Sequence, residues 1–226
     1  MKLDASEASS SIAPRGAIRQ GLRTRPAVRV GMVALALVWT QFPLGGGAKA
    51  EGGRELALCC AWGRTLDDSE LTYSVRSADL ASAEVVRQAV REWDADLPAL
   101  RFAELPVGAP VDIAIAYQPA PGRTQGQAVT SFNGQGLIRH VDVTIEGVPA
   151  PANAGGLLQI AKHEFGHALG LGHANFDGSL MSAAVSPEPQ PIEPCVLHGV
   201  AEANGWKLLS TRSPRPARPE LTQVPC

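Results

Sequence analysis

The chain has 226 residues, a formal net charge of −2 and 45% hydrophobic residues. This length and hydrophobic content suffice for one folded core, and the nearly neutral charge argues against the basic surface that nucleic-acid binding requires. We therefore expect one globular domain that is a monomer and has no nucleic-acid partner.

The first fifty residues differ from the rest of the chain. Five arginines, from Arg15 to Arg29, precede an apolar stretch over residues 30–39, and Ala48-Lys49-Ala50 matches an A-x-A cleavage pattern. The apolar stretch is about half as long as the roughly twenty residues of a membrane-spanning helix. The pattern predicts a secretory signal peptide over residues 1–50 and cleavage near Ala50-Glu51, so we expect a secreted, extracellular or periplasmic protein without a membrane span. An uncleaved anchor is the alternative.

The rest of the chain divides into three parts. We assign residues 51–65 to an N-terminal segment, residues 66–209 to the folded domain, and residues 210–226 to a C-terminal tail. The tail contains four prolines and several arginines, a composition that predicts an extended, non-helical conformation. We expect its last residue, Cys226, to be held by a disulfide.

All four cysteines lie in the predicted mature part, at positions 59, 60, 195 and 226. An even number of cysteines in an exported chain indicates two disulfides. A bridge between the adjacent Cys59 and Cys60 would be strained. We therefore expect each of them to pair with Cys195 or Cys226, in one of two arrangements.

Hydrophobic periodicity predicts strands and helices in a definite order after residue 66. Alternating apolar residues indicate strands, a helical spacing indicates a long helix, and Pro98 closes that helix. In chain order we predict strand Leu71–Arg76, helix Leu80–Trp93, strands Leu100–Leu105, Val111–Tyr117, Ala128–Phe132 and Ile138–Ile145, a helix from Asn153 or Gly155 to Leu169, and a last helix Glu193–Trp206.

The segment from His163 to His173, HEFGHALGLGH, carries the chemistry. His163 and His167 are four residues apart, so on a helix both imidazoles project from one face and can bind one metal ion. Glu164 lies about 100° around that helix, where its carboxylate can accept a proton from water. Gly170 can end the helix and turn the chain, which brings His173 as a third nitrogen ligand. Three protein ligands leave one zinc position open, as in catalytic zinc sites.

These residues, followed by Met181 eight residues after His173, resemble the HExxHxxGxxH motif and methionine turn of the metzincins, and in particular of the matrixins. The resemblance implies an α+β, zincin-like fold, with a mixed twisted sheet, a long N-terminal helix, an active-site helix and a C-terminal helix. It also implies a secreted zinc endopeptidase that acts on protein or peptide substrates. In that family Glu164 would be the general base and acid, and Met181 would form an apolar floor beneath the metal. The strand Ala128–Phe132 would border the cleft and pair with the substrate, unless it is an interior strand or a loop.

Departures from the family pattern limit what the resemblance implies. The loop between Tyr117 and Gln127 lacks the His and Asp ligands of a structural zinc and has no carboxylate-rich calcium loop, so we expect one catalytic Zn²⁺. Other candidate ligands are His140, His198, Glu188 and Glu193, but the position of His173 makes them unnecessary. The alternative function is a secreted zinc-binding interaction module with a non-catalytic site, or a latent site in which a Cys59 or Cys60 thiolate binds the metal.

Overall fold

The computed structural model describes residues 53–62, 69–204 and 222–226, which form eight strands and three helices. In chain order these are β1 (Glu55–Leu58), β2 (Glu70–Arg76), α1 (Leu80–Asp96), β3 (Arg101–Glu104), β4 (Ile113–Pro119), β5 (Gln125–Phe132), β6 (Ile138–Gly147), α2 (Ala154–Ala168), β7 (Leu171–Ala174), α3 (Pro194–Asn204) and β8 (Gln223–Pro225). The predicted signal peptide, most of the predicted tail and the predicted helix end at Trp206 lie outside the described residues. The α+β class and the order of the predicted elements are confirmed.

The five-stranded sheet is mixed, with the strand order β3-β2-β4-β6-β5. Adjacent strands from β3 to β6 pair in parallel, whereas β5 pairs antiparallel with β6 and lies at the edge of the sheet. Buried residues alternate along β4, where Ile113, Ile115 and Tyr117 face the core. This alternation shows that the helices cover one face of the sheet.

Helix α1 begins at a side-chain cap and packs against α2. The carboxylate of Asp79 accepts hydrogen bonds from the backbone N–H groups of Ala81 and Ser82, which would otherwise lack partners at the helix start. At the other end of the helix, the indole N–H of Trp93 donates to the carbonyl of Lys162 on α2 at 3.1 Å. The ring of Phe165 on α2 also packs against that of Trp93, with centroids 6.4 Å apart. The long helix α1 therefore holds α2 in place from one side.

Helix α2 is buried on almost every face, because the sheet, α1 and the segment after β7 surround it. Its end is held by two buried polar side chains. The indole N–H of Trp62 donates to the Ala168 carbonyl, and the Asn204 amide donates to the Leu169 carbonyl, both at 2.9 Å. These bonds pair carbonyls that a helix terminus leaves without intrahelical partners. Among the described residues, no helix combines the length and apolar character needed to cross a bilayer.

A second sheet joins both ends of the described chain to the segment that follows α2. Its strand order is β7-β1-β8, and both pairings are antiparallel. Leu56 on β1 lies opposite Ala174 on β7 and Val224 on β8. These three strands were not predicted from the sequence. Their location means that the last residues of the chain are part of the fold rather than a separate tail.

The predicted disulfide arrangement is wrong. The structure pairs Cys59 with Cys60, and Cys195 with Cys226. The second sheet explains this result, because Cys226 directly follows β8, which pairs with β1 and packs against α3, the helix that contains Cys195. Cys59 and Cys60 instead lie at the end of β1, where both backbone N–H groups donate to the Gly170 carbonyl.

Candidate metal centre

Three histidines from two elements come together after the end of α2. His163 and His167 lie one turn apart on α2. Gly170 then adopts a φ of 97°, a left-handed conformation that favours glycine, and the chain turns into β7, which carries His173. One donor atom from each histidine lies within 4.8 Å of the others. The predicted ligand residues are therefore brought together by the fold.

Backbone carbonyls fix the orientation of two of the three rings. His163 Nδ1 lies 2.7 Å from the Leu180 carbonyl, and His167 Nδ1 lies 2.8 Å from the Leu171 carbonyl. A carbonyl oxygen can only accept a hydrogen bond, so both Nδ1 atoms carry the proton. Both Nε2 atoms are then free to coordinate a metal, which is the usual outer-shell arrangement for metal-binding histidines.

The two Nε2 atoms lie 3.0 Å apart. Burial lowers the pKa of His163 to about 4 and that of His167 to about 3, so both rings are neutral near pH 7. Burial also lowers the pKa of His173. Two unprotonated nitrogens at this distance repel each other unless a cation lies beside both. Tetrahedral zinc with Zn–N bonds of about 2.0–2.1 Å separates two nitrogen ligands by roughly 3.3 Å, so these residues fit zinc.

Glu164 lies beside the histidines but faces the edge strand. Its side chain is buried, and burial raises its pKa to about 8 because the carboxylate loses its hydration. Gly126 on β5 lies next to this side chain. A Cβ atom added at Gly126 would lie 2.5 Å from the Glu164 Oε1 atom and would also overlap the Cγ atom. The edge strand and the predicted general base are thus in direct contact.

Met181 packs against helix α2 at Gly166, where the missing side chain leaves room for the methionine sulfur. A Cβ at Gly166 would lie 2.5 Å from the Met181 sulfur and 3.4 Å from Cζ2 of Trp93. Met181 is completely buried. The role of Met181 as an apolar floor beneath the metal stays a prediction. Gly166 lies inside the motif, but its spacing alone predicted no role for it.

A second layer of polar contacts supports His163 and was not predicted. Glu193 was considered as a metal ligand, but its Oε1 atom accepts a hydrogen bond from the Leu180 N–H at 2.8 Å. The Leu180 carbonyl in turn accepts the His163 bond. Lys162, which is 2% exposed, contacts the Glu92 carboxylate at 2.9 Å and donates to the Gln190 carbonyl. These contacts connect α2 with α1 and with the segment after Met181. No sequence motif identifies them.

The remaining candidate ligands lie elsewhere. His140 on β6 contacts the Val111 carbonyl at 2.9 Å and the Asp142 carboxylate at 3.2 Å. His198 on α3 lies 3.5 Å from Glu202. Neither histidine belongs to the three-histidine group in the described part of the chain. That neither histidine is a metal ligand stays a prediction.

Comparison with known families decides the assignment. Residues 62–194, more than half of the chain, match the matrixin family of metallopeptidases. The chain belongs to the matrixin family. The matching region begins at Trp62, which supports the end of α2, and includes the three histidines, Glu164 and Met181. Membership confirms the metzincin assignment, and the chemistry of this family fits a zinc ion at the three histidines.

The matrixin relatives are longer than this chain. It is 32% identical over 135 residues to the hatching enzyme of Paracentrotus lividus, which covers 53% of this chain and 22% of that protein. It is 31% identical over 157 residues to human matrix metalloproteinase-19, a match that covers 62% of this chain and 29% of that protein. It is 28% identical over 128 residues to rat matrilysin, a match that covers 52% of this chain and 47% of that protein. The chain thus spans less than half of each of these three relatives.

Among solved structures, the chain is similar to myroilysin. Two structures of that protein give TM-scores of 0.42 and 0.43 at 12% and 13% identity. The matches cover 64% and 65% of this chain and 90% and 96% of the solved chains.

Proposed function

We propose that this matrixin is an exported zinc endopeptidase that hydrolyses protein or peptide substrates with Glu164 as general base and acid. The observation that carries the proposal is the pair of neutral His163 and His167 Nε2 atoms, 3.0 Å apart, with His173 and Glu164 beside them. A purely structural zinc site has no need for a buried carboxylate at this position. This arrangement favours catalysis over a zinc-binding interaction module.

The residues of the site divide the work between binding and proton transfer. His163, His167 and His173 would hold the zinc ion. Zinc, when bound, would polarise the scissile carbonyl and lower the pKa of a water molecule. Glu164 takes a proton from the attacking water and delivers a proton to the nitrogen of the leaving amine. In the metal-free protein burial raises the pKa of Glu164, and the positive charge of a bound zinc ion beside it would lower that pKa again, so that the carboxylate could accept a proton near pH 7.

The edge strand β5 is the substrate-binding element of this proposal. Its inner neighbour is β6, and no described strand pairs with its other side. An extended peptide can add to such an edge through main-chain hydrogen bonds. The contact between Gly126 and Glu164 supports this proposal, because a peptide paired with β5 would pass close to the Glu164 carboxylate. The alternative of an interior strand does not fit this sheet order.

The test of the catalytic assignment is a comparison of matched variants on a broad peptide mixture. We expect Glu164→Gln to retain zinc while the rate falls by about 10²–10⁴-fold. His167→Ala should lose both zinc and activity. Glu202→Gln, which changes an exposed carboxylate on α3, is the control and should behave like the wild type. A Glu164→Gln protein that keeps a tenth of the zinc-dependent rate would contradict the assignment.

Export is a separate part of the proposal and has its own test. It is supported by the basic and apolar pattern of residues 1–50 and by two disulfides in the described structure. Mass spectrometry of protein recovered outside the producing cells should find an N-terminus near Glu51. Protein that stays with the cells and retains its N-terminal fifty residues would support the uncleaved anchor instead.

A further inference from the structure

Gly126 occupies a place on β5 where any side chain would meet Glu164. Residues 126, 128 and 130 lie opposite Ile145, Val143 and Val141 of β6, all of which are buried, so this side of β5 faces the helices. A methyl group at position 126 would overlap Glu164 Cγ and approach Oε1 and Cδ at 2.5 and 2.6 Å. Real Cβ atoms essentially never come this close to another heavy atom. Among the nearest atoms, every one belongs to Glu164.

The overlap cannot be relieved by turning the carboxylate alone. It falls on Cγ, the second carbon of the side chain, so χ1 of Glu164 would have to change. Helical residues have two common χ1 wells, since the third clashes with the preceding turn. A change between those wells would carry the carboxylate by ångströms rather than tenths of an ångström. Glu164 is buried, so few other positions are open to it.

We propose that Gly126 is a positioning residue for the general base, because its missing side chain keeps the Glu164 carboxylate in the place where it can serve the reaction. The inference rests on the proposed function of Glu164. It adds that the edge strand, besides offering backbone groups to a peptide, sets the location of the proton-transferring group. A glycine is required at this position by space and not by backbone conformation, since Gly126 is absent from the left-handed residues of the described chain.

This distinction supplies a matched control. Gly134, in the turn between β5 and β6, is also outside the left-handed set, and an added Cβ there meets no atom within 4 Å. Gly134→Ala and Gly126→Ala therefore make the same chemical change in the same hairpin. They differ in whether the new methyl group meets Glu164.

The contact itself is tested by thermal unfolding of the purified full chain, without reference to activity. We expect Gly126→Ala to lower Tm by about 3–10 °C, which is the range for overpacking in a domain of this size. In a Glu164→Ala background the same change should leave Tm unchanged or raise it, because the overlapping atoms are gone and alanine reduces the entropy of the unfolded chain. Gly134→Ala should leave Tm unchanged or raise it slightly in both backgrounds. Equal Tm shifts from Gly126→Ala in both backgrounds would overturn the contact.

The positioning role is tested by kinetics of the zinc-loaded variants. We expect Gly126→Ala to lower kcat by about 100-fold with KM changed less than threefold and zinc content unchanged. In a Glu164→Ala background, where Cγ and the carboxylate are both absent, the further loss from the residual rate should be less than threefold. A raised KM with an unchanged kcat would mean that the methyl group obstructs the substrate, and would overturn the proposal. A wild-type protein without peptidase activity would refute the proposed function, and the Tm comparison would still decide the contact.

Discussion

Asn204 gives the sharpest stability prediction, because one buried amide joins three separated parts of the chain. Its Oδ1 atom accepts a hydrogen bond from the backbone N–H of Trp62, and its Nδ2 atom donates to the carbonyls of Leu169 and Val200, each at 2.9 Å. The side chain is 2% exposed. Asn204→Ala would remove three hydrogen bonds and leave the backbone N–H of Trp62 and the carbonyl of Leu169 without this partner. We expect this change to destabilise the active-site helix at its end.

The magnitude follows from the bonds. Each buried hydrogen bond contributes about 1 kcal/mol net, so three give about 3 kcal/mol. Alanine at a helix end recovers up to roughly 0.7 kcal/mol of helix propensity. The net loss in the free energy of unfolding should be about 2–3 kcal/mol, which lowers Tm by roughly 4–12 °C for a domain of this size.

Urea unfolding followed by tryptophan fluorescence measures this loss, since Trp62 and Trp93 are both completely buried. A chelator should be present for every variant, so that differences in zinc affinity do not contribute to the apparent stability. Glu202→Ala on the same helix is the control and should change stability by less than about 0.5 kcal/mol, because its partner His198 lies in an exposed pair. An Asn204→Ala protein as stable as this control would refute the reasoning.

Three further predictions concern the metal centre. Gly170 has a φ of 97°, and a Cβ there would overlap the Cys60 carbonyl oxygen, so Gly170→Ala should yield little folded, zinc-binding protein. Gly178 has a φ of 84° but open space around it, so Gly178→Ala should lower the free energy of unfolding by about 1 kcal/mol and keep zinc. Circular dichroism and metal analysis would distinguish the two variants, and equal behaviour would show that backbone strain alone matters. In zinc-free protein the pKa of Glu164 is raised from 4.5 to about 8, so the unfolded chain loses this proton first and stability falls as pH rises through that interval. Glu164→Gln should then stabilise the zinc-free protein by up to about 4 kcal/mol at pH 8 and by less than about 1 kcal/mol at pH 5, and equal effects at both pH values would contradict the burial of the carboxylate. Deletion of Gln223–Cys226 should weaken zinc binding by roughly tenfold, because it removes a strand of the sheet that supports His173. Cys195→Ser removes only the disulfide and should weaken zinc binding less. An unchanged zinc affinity after the deletion would show that β8 is dispensable for the metal centre.

The three histidines that the sequence predicted as ligands lie together in the structure because most of this group is local in the chain. Spacing along one helix places His163, Glu164 and His167, and the left-handed Gly170 returns the chain within three residues to His173. The long elements were also predicted to within a few residues, since each carries its own hydrophobic period. The helix from Leu80 was expected to end near Trp93 and ends at Asp96.

The short strands and the disulfides could not be predicted in the same way. Strands β1, β7 and β8 have three or four residues each, too few for an alternation pattern to be distinguished from chance. Their pairing joins residues more than a hundred positions apart, such as Leu56 and Ala174. The cysteine pairing depends on that same sheet. For this reason the local argument against the bridge between Cys59 and Cys60 led to the wrong arrangement.

The contacts that hold the site also depend on long-range packing. Glu193 was considered as a distant alternative ligand that His173 made unnecessary, and in the structure it binds the Leu180 N–H, while the Leu180 carbonyl orients His163. Gly126 had no distinguishing neighbours in the sequence, and only the antiparallel register of β5 with β6 places it against Glu164. Glu193 acts through His163 and Gly126 acts through Glu164, and both of these groups belong to the motif.

The third ligand shows how the local and the long-range parts of the site differ. His163 and His167 are set by one helix, so their spacing survives any change that leaves α2 intact. His173 lies on β7, whose partner in the small sheet is β1, and β1 is paired in turn with β8 near the end of the chain. The Gly170 carbonyl accepts hydrogen bonds from Cys59 and Cys60 at the same place. Changes at either end of the described chain should therefore alter His173 first, and a zinc site that loses this ligand would keep two histidines but not the geometry for catalysis.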